Sequence, residues 1–596
     1  MQRCFPGSST TASKISAEKS VASDEPNPPI WPETVIIIKP DFSKEKIRSM
    51  VAKTEDTIVP DGKNVENPDS GEIIYSADRH FVEERFAIFF EPGTYKGIDV
   101  EVGYYSQILG LGAKADDVVF TDCEFGPYVP ALRKYQWIGG RPGMSLDSFW
   151  RAAENFKTEA SKGQMWAVSQ AAPLRRVHVA KNTNGDNDNS GNLYLHDAGG
   201  QASGGHAANV KVEGLISLGS QQQFCFRSCS FANKVTKQEL GAWAFMFVDC
   251  VNAPDERDGV TSNPFGGWQS NPSVAIDNPL ITVEKPFVVI DGGKYYLHVP
   301  APSIRQEEKA LGSHLASSES DSIRPFERVR VVKANAVDLA TGKSAPDMNI
   351  ATEINAILKE GKDIVLSPGI YYLTESIEIF QNDQVILGLG LATLVAPTDG
   401  SPIIKVPAGL EGVRLAGMML EASVLNKPDP EAEACFIQWG EKGNAHQDLG
   451  NPSNPGCMAD IFARVGGSNL DRTVSTNTMV RIDSGNVYGD NLWLWRADHV
   501  NLREGEEPNF EGLNYHQVML GECPCETGLE VNGNDVTIHG LAVEHTTQTN
   551  TKWNGERGKV MFYQNELPYD VNEDFAKKGY VGYKVGDHVK IGRAHV

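Results

Sequence analysis

The stretch Val365-Leu-Ser-Pro-Gly-Ile-Tyr371, followed by Val385-Ile-Leu-Gly-Leu-Gly390, has a related copy earlier in the chain, and this repetition indicates the fold. The earlier copy reads Phe89-Phe-Glu-Pro-Gly-Thr-Tyr95 and then Gln107-Ile-Leu-Gly-Leu-Gly112. The first element is displaced by 276 residues and the second by 278. Two ordered matches at a nearly constant offset indicate the duplication of a unit of about 300 residues.

Both units are rich in short apolar runs that are separated by Gly, Asn and Asp, a pattern that predicts many strands and few helices. The clearest runs are Val210–Leu218, Phe224–Phe231, Phe245–Val251, Val413–Leu420, Val480–Ile482, Val487–Trp495 and Val536–Val543. Between Ile350 and Leu358 the apolar residues instead have helical spacing. A helix there would cover the open end of a stack of strands, whose unpaired edge is otherwise a liability.

A helix followed by Pro-Gly-x-Tyr and Leu-Gly-x-Gly resembles the opening of right-handed parallel β-helices of the pectate-lyase type. We therefore predict an all-β protein made of two tandem right-handed parallel β-helices. The tail resembles an in-frame translation of a sequencing adapter, so we expect the natural chain to continue beyond Lys590. The predicted segments are a disordered leader (1–30), an N-terminal β-helix (31–302), a linker (303–328), a truncated C-terminal β-helix (329–589) and an adapter-derived tail (590–596).

The length and the net charge restrict the kinds of molecule that this chain is expected to bind. The 596 residues exceed what one hydrophobic core usually holds, and the composition excludes collagen, coiled coil and wholesale disorder. The net charge of −23 repels polyanions, so nucleic acid, anionic membranes and acidic polysaccharides are disfavoured. A neutral or cationic partner is therefore expected.

The sequence gives little support to a membrane, metal or nucleotide function. No window approaches the roughly 20 apolar residues that cross a bilayer. Cys225-x3-Cys229 and Cys523-Pro-Cys525 have no nearby His or Cys to complete a zinc set, so we expect buried thiols or one or two disulfides. The Leu-Gly-Leu-Gly segments do not open a long helix in a βαβ unit, as a dinucleotide site requires. We expect no metal and no cofactor.

Two glutamates near the end of the second unit are candidate catalytic residues. Glu544 follows the apolar run Leu541–Val543, and Glu566 follows Val560–Tyr563. Burial at the end of a strand would raise the pKa of such a carboxyl toward the range of a general acid. The two are 22 residues apart, the length of about one β-helix coil, which predicts neighbouring strands about 4.8 Å apart.

Paired carboxylates beside Trp and Tyr are typical of glycosidases, in which one acid and one base or nucleophile act on a sugar held by flat rings. The alternative is that the glutamates lie on the surface and that the tryptophans belong to the core.

The ordered motifs resemble glycoside hydrolase family 55, the exo-acting β-1,3-glucanases or laminarinases. Besides the tandem repeat, the motifs are Ser220-Gln-Gln-Gln223, Val543-Glu-His545 and Tyr563-Gln-Asn-Glu-Leu-Pro-Tyr569. The resemblance covers most of residues 31–589. It implies two β-helices side by side with the active site in the cleft between them, and a reaction that inverts the anomeric configuration.

The resemblance also implies roles for individual residues. Glu566 matches the general acid, and Glu544 matches the carboxylate that orients or activates the attacking water. Gln170 and Ser203 match the amide and hydroxyl that hold this water.

Further residues are candidates for binding the sugar chain. For Trp553 and Tyr563 core packing is the alternative to stacking, and for Gln222 and Gln223 it is a ladder inside the β-helix. The substrate-binding candidates are Trp553, Tyr563, Gln222, Gln223, Trp495, Asp498 and His499.

Two other functions stay open from the sequence. One is a β-helix enzyme that acts on another glycan, such as a pectinase or polysaccharide lyase, for which Arg175, Arg176 and Arg496 are the basic candidates. The other is a non-catalytic glycan-binding protein. We expect a secreted monomer that binds a neutral β-glucan and neither nucleic acid nor membrane, although no export signal is visible.

Overall fold

The computed structural model describes most of the chain, and the account below concerns those residues only. The described residues are 25–57, 64–66, 73–75, 80–129, 137–138, 141–142, 148–182, 189–195, 202–219, 221–235, 244–254, 273–276, 281–303, 321–334, 337–338, 343–344, 350–426, 433–509 and 515–590. The α-helices are Lys44–Val51 (α1), Ile350–Lys359 (α2) and Glu573–Lys577 (α3). Short 3₁₀ helices lie at Ala52–Thr57, Ala115–Asp117 and Phe326–Arg328.

Each half of the molecule is a stack of coils whose strands pair in parallel, which confirms the predicted fold. The main sheet of the first half consists of Val35–Ile38 (β1), Phe86–Phe90 (β2), Ser106–Gly110 (β3), Ala152–Thr158 (β4), Pro173–Val179 (β5), His206–Ala208 (β6), Gln223–Arg227 (β7), Ala244–Val248 (β8) and Ser273–Ile276 (β9). The main sheet of the second half consists of Val329–Val332 (β10), Asp363–Leu366 (β11), Val385–Val395 (β12), Arg414–Glu421 (β13), Gly456–Val465 (β14), Val487–Arg496 (β15), Thr537–Glu544 (β16) and Lys559–Glu566 (β17).

Further strands complete the coils on the other sides. In the second half they are Ile370–Tyr372, Ile377–Glu378, Ile404–Val406, Cys435–Trp439, Thr476–Ile482, Cys525–Val531, Thr551–Trp553 and Tyr583–Val585. In the first half they are Gly93–Lys96, Val100–Glu101, Val118–Thr121, Pro127–Tyr128, Gln164–Met165, Leu193–Tyr194, Lys211–Val212, Ile216–Ser217 and Ser230–Phe231. Short antiparallel pairs also occur. They are Asn64–Glu66 with Ile73–Tyr75, Trp137–Ile138 with Arg141–Pro142, Val337–Asp338 with Lys343–Ser344, and His499–Val500 with His516–Gln517.

The repeated Pro-Gly-x-Tyr motif performs the same task in both halves. The Tyr95 hydroxyl lies 3.0 Å from the carbonyl oxygen of Ile38 on the preceding strand and 2.7 Å from that of Glu91. The Tyr371 hydroxyl lies 2.9 Å from the carbonyl oxygen of Val332 and 2.8 Å from that of Ser367. In each half a buried tyrosine therefore satisfies backbone carbonyls where the first coils turn, as buried polar groups require.

Helix α2 closes the end of the second β-helix, as its spacing predicts. Its apolar side, including Ile354 and Leu358, is buried. The helix also makes polar contacts: the Asn355 side chain donates to the carbonyl of Ser376 at 2.8 Å and accepts from the amide of Glu378 at 2.8 Å. The helix thus covers both apolar and backbone groups that the first coil leaves open.

An antiparallel sheet lies between the two halves in the chain. It consists of Phe287–Asp291, Lys294–Val299 and Ser322–Pro325. Residues 322–328 of the predicted linker therefore form a strand and a 3₁₀ turn, while 304–320 lie outside the described residues.

The predicted disordered leader needs a correction at its end. Asn27 accepts from the amide of Tyr295 at 2.7 Å and donates to its carbonyl at 3.0 Å, and so satisfies an open strand edge. Residues 1–24 and the tail after 590 lie outside the described residues.

The two main sheets face each other, and their strands run in opposite directions. Gln170 contacts Glu544, and five residues later in the chain Arg175 contacts Asp490. Asp490 is in register with His539, which lies five residues before Glu544. The order of contacts is therefore reversed along the facing strands.

The axes of the two β-helices, in contrast, point the same way. The contacts that join the halves run from β3 with β12, through β5 with β14, to β7 with β15. Opposed strands with parallel axes are the signature of an approximate two-fold rotation about the stacking direction.

The buried apolar residues form clusters that agree with this arrangement of the two halves. One apolar cluster lies within the first half, and the large cluster of the second half also takes in first-half residues such as Tyr105 and Trp150. A third cluster, which includes Phe89, Leu109, Val365 and Tyr488, joins the two halves as well. Among the helices of the described ranges, none has the length and apolar character that crossing a bilayer requires.

Candidate active site

Glu544 and Glu566 are direct neighbours on adjacent strands. The last residue of β16, Glu544, is in register with the last residue of β17, Glu566. They continue a row of side chains that crosses the second sheet from Glu421 through Arg464 and Trp495. The predicted placement on successive coils is therefore confirmed.

Glu544 is buried, with 3% of its surface exposed, and both of its oxygens accept hydrogen bonds. Gln170 donates from Nε2 to Oε1 at 3.1 Å, and Trp493 donates from Nε1 to Oε2 at 2.8 Å. Burial, followed by the nearby charge of Glu566, raises the pKa of Glu544 to about 7, although the bond from Trp493 acts in the other direction. Near neutral pH this carboxyl is poised to hold or release a proton.

Glu566 has a wetter environment, with a side chain that is 37% exposed. His545 approaches it with Nε2 3.4 Å from Oε2, the Tyr569 hydroxyl donates to the same oxygen, and Gln564 donates to Oε1 at 3.4 Å. Partial burial raises the pKa of Glu566, but the bonds from His545 and Tyr569 outweigh it and hold the pKa below its ordinary value. The two carboxyls interact closely enough to titrate as a pair.

The charge on His545 depends on the same neighbours. Burial lowers the pKa of His545, but Glu566 and Asp498 outweigh this effect and raise it above its ordinary value. His545 follows Glu544 with a left-handed backbone, φ +61°, which turns the chain at the end of β16. This turn brings its ring to Glu566 and to the edge of the Tyr569 ring, with centroids 4.5 Å apart.

The first half supplies an amide and a hydroxyl to the carboxylates of the second. Besides its bond to Glu544, Gln170 accepts from the Ser203 hydroxyl at 3.2 Å. Ser203 is held in turn by Ser169, whose Oγ accepts from its amide at 3.1 Å, and by Gln223, which donates to its carbonyl at 3.2 Å. The structure thus brings Gln170, Ser203 and Glu544 together across the interface.

The predicted stacking residues Trp553 and Tyr563 are not part of this cluster, which corrects that prediction. Trp553 is 3% exposed and stacks on Tyr583 with centroids 6.2 Å apart. The Tyr563 hydroxyl donates to the carbonyl of Gly582 at 2.6 Å, and its ring also packs against Tyr583. Both rings point into the second β-helix because they occupy inward positions of their strands.

The other predicted sugar-binding residues differ in their exposure and in their contacts. Trp495 and His499 are buried in an aromatic cluster, so their rings are not open to a sugar. Asp498 is partly exposed and binds His499 at 2.7 Å. Burial raises the pKa of Asp498, but His499 and His545 outweigh it and hold the pKa well below its usual range. Gln223 reaches Ser203, and its half-buried neighbour Gln222 precedes it on the same coil.

The sequence prediction missed four side chains that touch the carboxylates, namely Gln564, which lies two residues before Glu566 on the same strand, and Trp493, His545 and Tyr569. Each had a signal in the sequence. Trp493 lies two residues before Trp495 and so shares its side of a strand, His545 follows Glu544, and Tyr569 lies three residues after Glu566.

The cysteines and basic residues also have defined positions. The eight cysteines in the described ranges are buried free thiols, and those ranges contain no group of three or more side chains that could hold a metal ion. Arg175 is buried in ion pairs with carboxylates of the second half, Arg176 is buried against Glu154 of its own half, and Arg496 is buried against Asp570 at 2.7 Å.

A family model and a relative of known name both match this chain, and they agree with each other. The model of the LAM55 pectate lyase-like domain matches residues 343–566. An exo-beta-1,3-glucanase of Streptomyces sp. (strain SirexAA-E / ActE) is 31% identical over 516 residues, which cover 85% of this chain and 72% of the relative.

Two solved structures have the same architecture. SacteLam55A from Streptomyces sp. SirexAA-E has 29% identity and a TM-score of 0.71, with 93% of this chain and 84% of that chain covered. A substituted variant of sacteLam55A in complex with glucose has 28% identity and a TM-score of 0.74, with 96% and 87% covered.

Proposed function

The chain belongs to glycoside hydrolase family 55, and on this basis we propose that it hydrolyses β-1,3-glucan from a chain end with inversion of the anomeric configuration. The observation that carries the proposal is the in-register pair of Glu544 and Glu566, with Gln170 and Ser203 of the other half beside Glu544. The complex of a sacteLam55A variant with glucose supports a sugar substrate for this chain.

In the proposed reaction Glu566 protonates the glycosidic oxygen, while a water held by Glu544, Gln170 and Ser203 attacks the anomeric carbon. The partly exposed Glu566 suits the group that meets the leaving sugar. The buried Glu544, with its amide and indole donors, suits the group that orients water. Single displacement needs room for water between the carboxyls, about 6.5–9.5 Å, which neighbouring strands allow when the side chains diverge.

The roles require the proton of the pair to be on Glu566, whereas the pKa directions of the free protein favour Glu544. Substrate that covers the exposed side of Glu566 removes water from it and raises its pKa. The proton then moves from Glu544 to Glu566 as the sugar binds. The singly protonated pair is thus the active form, and a bell-shaped pH profile is expected.

The ion pairing of the arginines supports a neutral substrate over a polyuronate. Arg175, Arg176 and Arg496, the basic candidates for a lyase, are each buried against carboxylates. A cation in such a pair is neither accessible to an acidic sugar nor free to act as a base. With the net charge of −23, this favours an uncharged glucan.

The test is to assay glucose release from laminarin by the wild type, Glu566→Gln and Glu544→Gln. Each substitution should reduce kcat at least a hundredfold, since general acid–base catalysis contributes about 10²–10⁴-fold. Glu378→Gln, in an outer strand of the same half, is the control and should retain full activity. Glucose release that survives Glu566→Gln would refute the assignment.

Two further measurements address the finer proposals. Chromatography of early products should give glucose rather than a ladder of oligosaccharides if action is from the chain end. NMR of the fresh product should give α-glucose from the β-linked substrate, and β-glucose would refute inversion. We also propose that the enzyme is extracellular, which fractionation of the native culture would test.

A further inference from the structure

We propose that a buried ion network between the two β-helices sets the position of Gln170 and Ser203 against Glu544, with Arg175 as its main positioning residue. The inference rests on the proposed function, because it concerns the same site. Arg175 does not touch the site itself. It acts on Gln170, which lies five residues earlier in the chain.

The network contains equal numbers of cations and anions in the described ranges, and each of these side chains is at most 4% exposed. The cations are Arg175, Arg176, Arg227 and Lys285, and the anions are Glu154, Glu284, Asp460 and Asp490. Because the charges balance, no net charge is buried.

Arg175 makes the most direct connection between the halves. Its Nε and Nη2 donate to the two oxygens of Asp460 on β14 at 2.8 and 2.6 Å. Its Nη1 donates to Asp490 on β15 at 2.7 Å. The planar guanidinium therefore fixes both distance and angle between β5 and two strands of the other half.

A second arginine repeats the connection two coils along. Arg227 on β7 donates from Nε and Nη2 to the two oxygens of Asp490, both at 2.9 Å. Between the two arginines lies Ala208 on β6, which is in register with both. The strand without a cation is thus held between two strands that have one.

The candidate site residues are separated from these contacts by the same number of residues along the chain. Gln170 lies five residues before Arg175, and Ser203 lies five residues before Ala208. On the facing sheet Glu544 lies five residues after His539, the in-register neighbour of Asp490. Gln170 and Ser203 lie in the segments that lead into β5 and β6, and Glu544 ends β16, so short stretches of the same facing chain segments join the network to the site.

At this position the facing sheets are joined by ion pairs rather than by apolar contacts, and the two kinds of contact differ in how strictly they fix geometry. A buried ion pair adds little net stability over a packed apolar pair, but it is strict about geometry. Apolar faces can slide past each other, whereas a bidentate arginine cannot. A shift of about 1 Å at groups that orient the reactants can cost about a hundredfold in rate. We infer that the network maintains the register between the halves that hydrolysis needs.

The test is the double variant Arg175→Met/Asp460→Asn, which removes one cation and one anion and keeps the network neutral. Asparagine suits position 460 because its backbone is left-handed, with φ +51°. We expect the melting temperature to stay within a few degrees of wild type. On laminarin we expect kcat to fall at least tenfold with KM within twofold, since transition-state contacts are lost and ground-state binding is retained.

The control is Arg414→Met. Arg414 is similarly buried, but among the described residues it donates to carbonyls of the second half alone, those of Gly412, Val413 and Pro455. It should lower the melting temperature and leave kcat unchanged at a temperature where the protein is folded. A kcat for the double variant within twofold of wild type, or an equal loss of kcat in Arg414→Met, would overturn the proposal.

A crystal structure of the double variant separates this inference from the proposed function. We expect the distance from Gln170 Nε2 to Glu544 Oε1, 3.1 Å here, to exceed hydrogen-bonding range. An unchanged distance would overturn the positioning role, whatever the substrate. A wild-type protein inactive on laminarin would remove the proposed function, while the distance would still decide the role of the network.

Discussion

Trp493 donates its indole N–H to Oε2 of Glu544 at 2.8 Å, while Gln170 of the other half donates to Oε1. A core aromatic residue is thereby joined to the carboxylate that we propose orients water. The Trp493 ring is fixed by stacking on Trp150, with centroids 5.5 Å apart. The donor therefore has little freedom to move away.

Replacing Trp493 by Phe keeps an aromatic ring and removes this one donor. The bond stabilises the charged form of Glu544, so its loss should raise the pKa of the carboxyl further. A hydrogen bond to a charged group is worth about 1.5–3 kcal/mol, which corresponds to about one to two pH units. The alkaline limb of the pH–rate profile should move upward, whereas Trp150→Phe, which removes no donor to Glu544, should leave it in place.

The raised pKa of Glu544 predicts that Glu544→Gln stabilises the protein at neutral pH. Between the ordinary value of 4.5 and the folded value of about 7, the unfolded chain releases a proton that the folded protein keeps. Wild-type stability therefore falls as pH rises through this window. Glutamine cannot ionise, so the variant should gain about 3 kcal/mol at pH 8 and nothing at pH 4.

Glu566→Gln is the matched comparison, because the pKa of Glu566 is shifted in the opposite direction. A lowered pKa contributes stability above the ordinary value and loses it as pH falls, so this variant should be less stable than wild type at neutral pH. Denaturant unfolding at several pH values would measure both effects. A Glu544→Gln protein less stable than wild type at pH 8 would contradict the assigned shift.

Gly540 lies close to the other half, and its replacement by Ala should be costly. Its φ is +71°, and an added Cβ would lie 3.0 Å from Nδ1 of His206 in the other half. A left-handed alanine costs about 1–2 kcal/mol, and the contact should add to this. Gly409→Ala is the control, since φ is +79° and no atom of the described residues lies within 4 Å of the added Cβ.

Thermal unfolding of the two alanine variants would isolate the effect of the contact. Gly540→Ala should be the less stable of the two, and it alone should lower kcat, because only it pushes on the facing sheet. Equal stabilities and equal rates would mean that the halves can separate locally at no cost.

The cysteines should be unreactive in the folded protein. Burial raises the pKa of the Cys435, Cys457 and Cys525 thiols to about 12, and thiolate is the reactive form. Of the nine cysteines in the sequence, eight lie in the described ranges and all eight are buried. A polar thiol reagent should label at most one cysteine rapidly in the native protein and all nine after reduction and unfolding. Rapid labelling of several native thiols would contradict the packing.

Features that repeat along the chain were predictable from the sequence. The Pro-Gly-x-Tyr copies gave the duplication, because Tyr95 and Tyr371 satisfy equivalent carbonyls. The spacing of Glu544 and Glu566 gave their adjacency, because one coil separates residues in register. These relations lie within one stack of coils, where sequence distance translates directly into spatial distance.

Relations between the two halves were not predictable in the same way. Trp553 was predicted to bind sugar because it lies near the glutamates in sequence, but in-register Val531 and Val585 place it on an inward row. Arg175 and Arg176 were basic candidates for a lyase, yet Arg175 is buried against a carboxylate of the other half and Arg176 against Glu154 on the neighbouring coil. Inward or outward direction and the facing of the sheets depend on packing that local sequence does not encode.

The contact between Gln107 and Gly390 has an evolutionary meaning. Gln107 begins one copy of the repeated Ile-Leu-Gly-Leu-Gly segment, Gly390 ends the other, and the Gly390 amide donates to the Gln107 side chain at 2.9 Å. A motif that touches its own duplicate about an approximate two-fold axis is what a symmetric pair of identical ancestors would leave behind. Fusion of a homodimer would produce this contact and would free the two copies to diverge, as the carboxylates of one half and the amide and hydroxyl of the other have done.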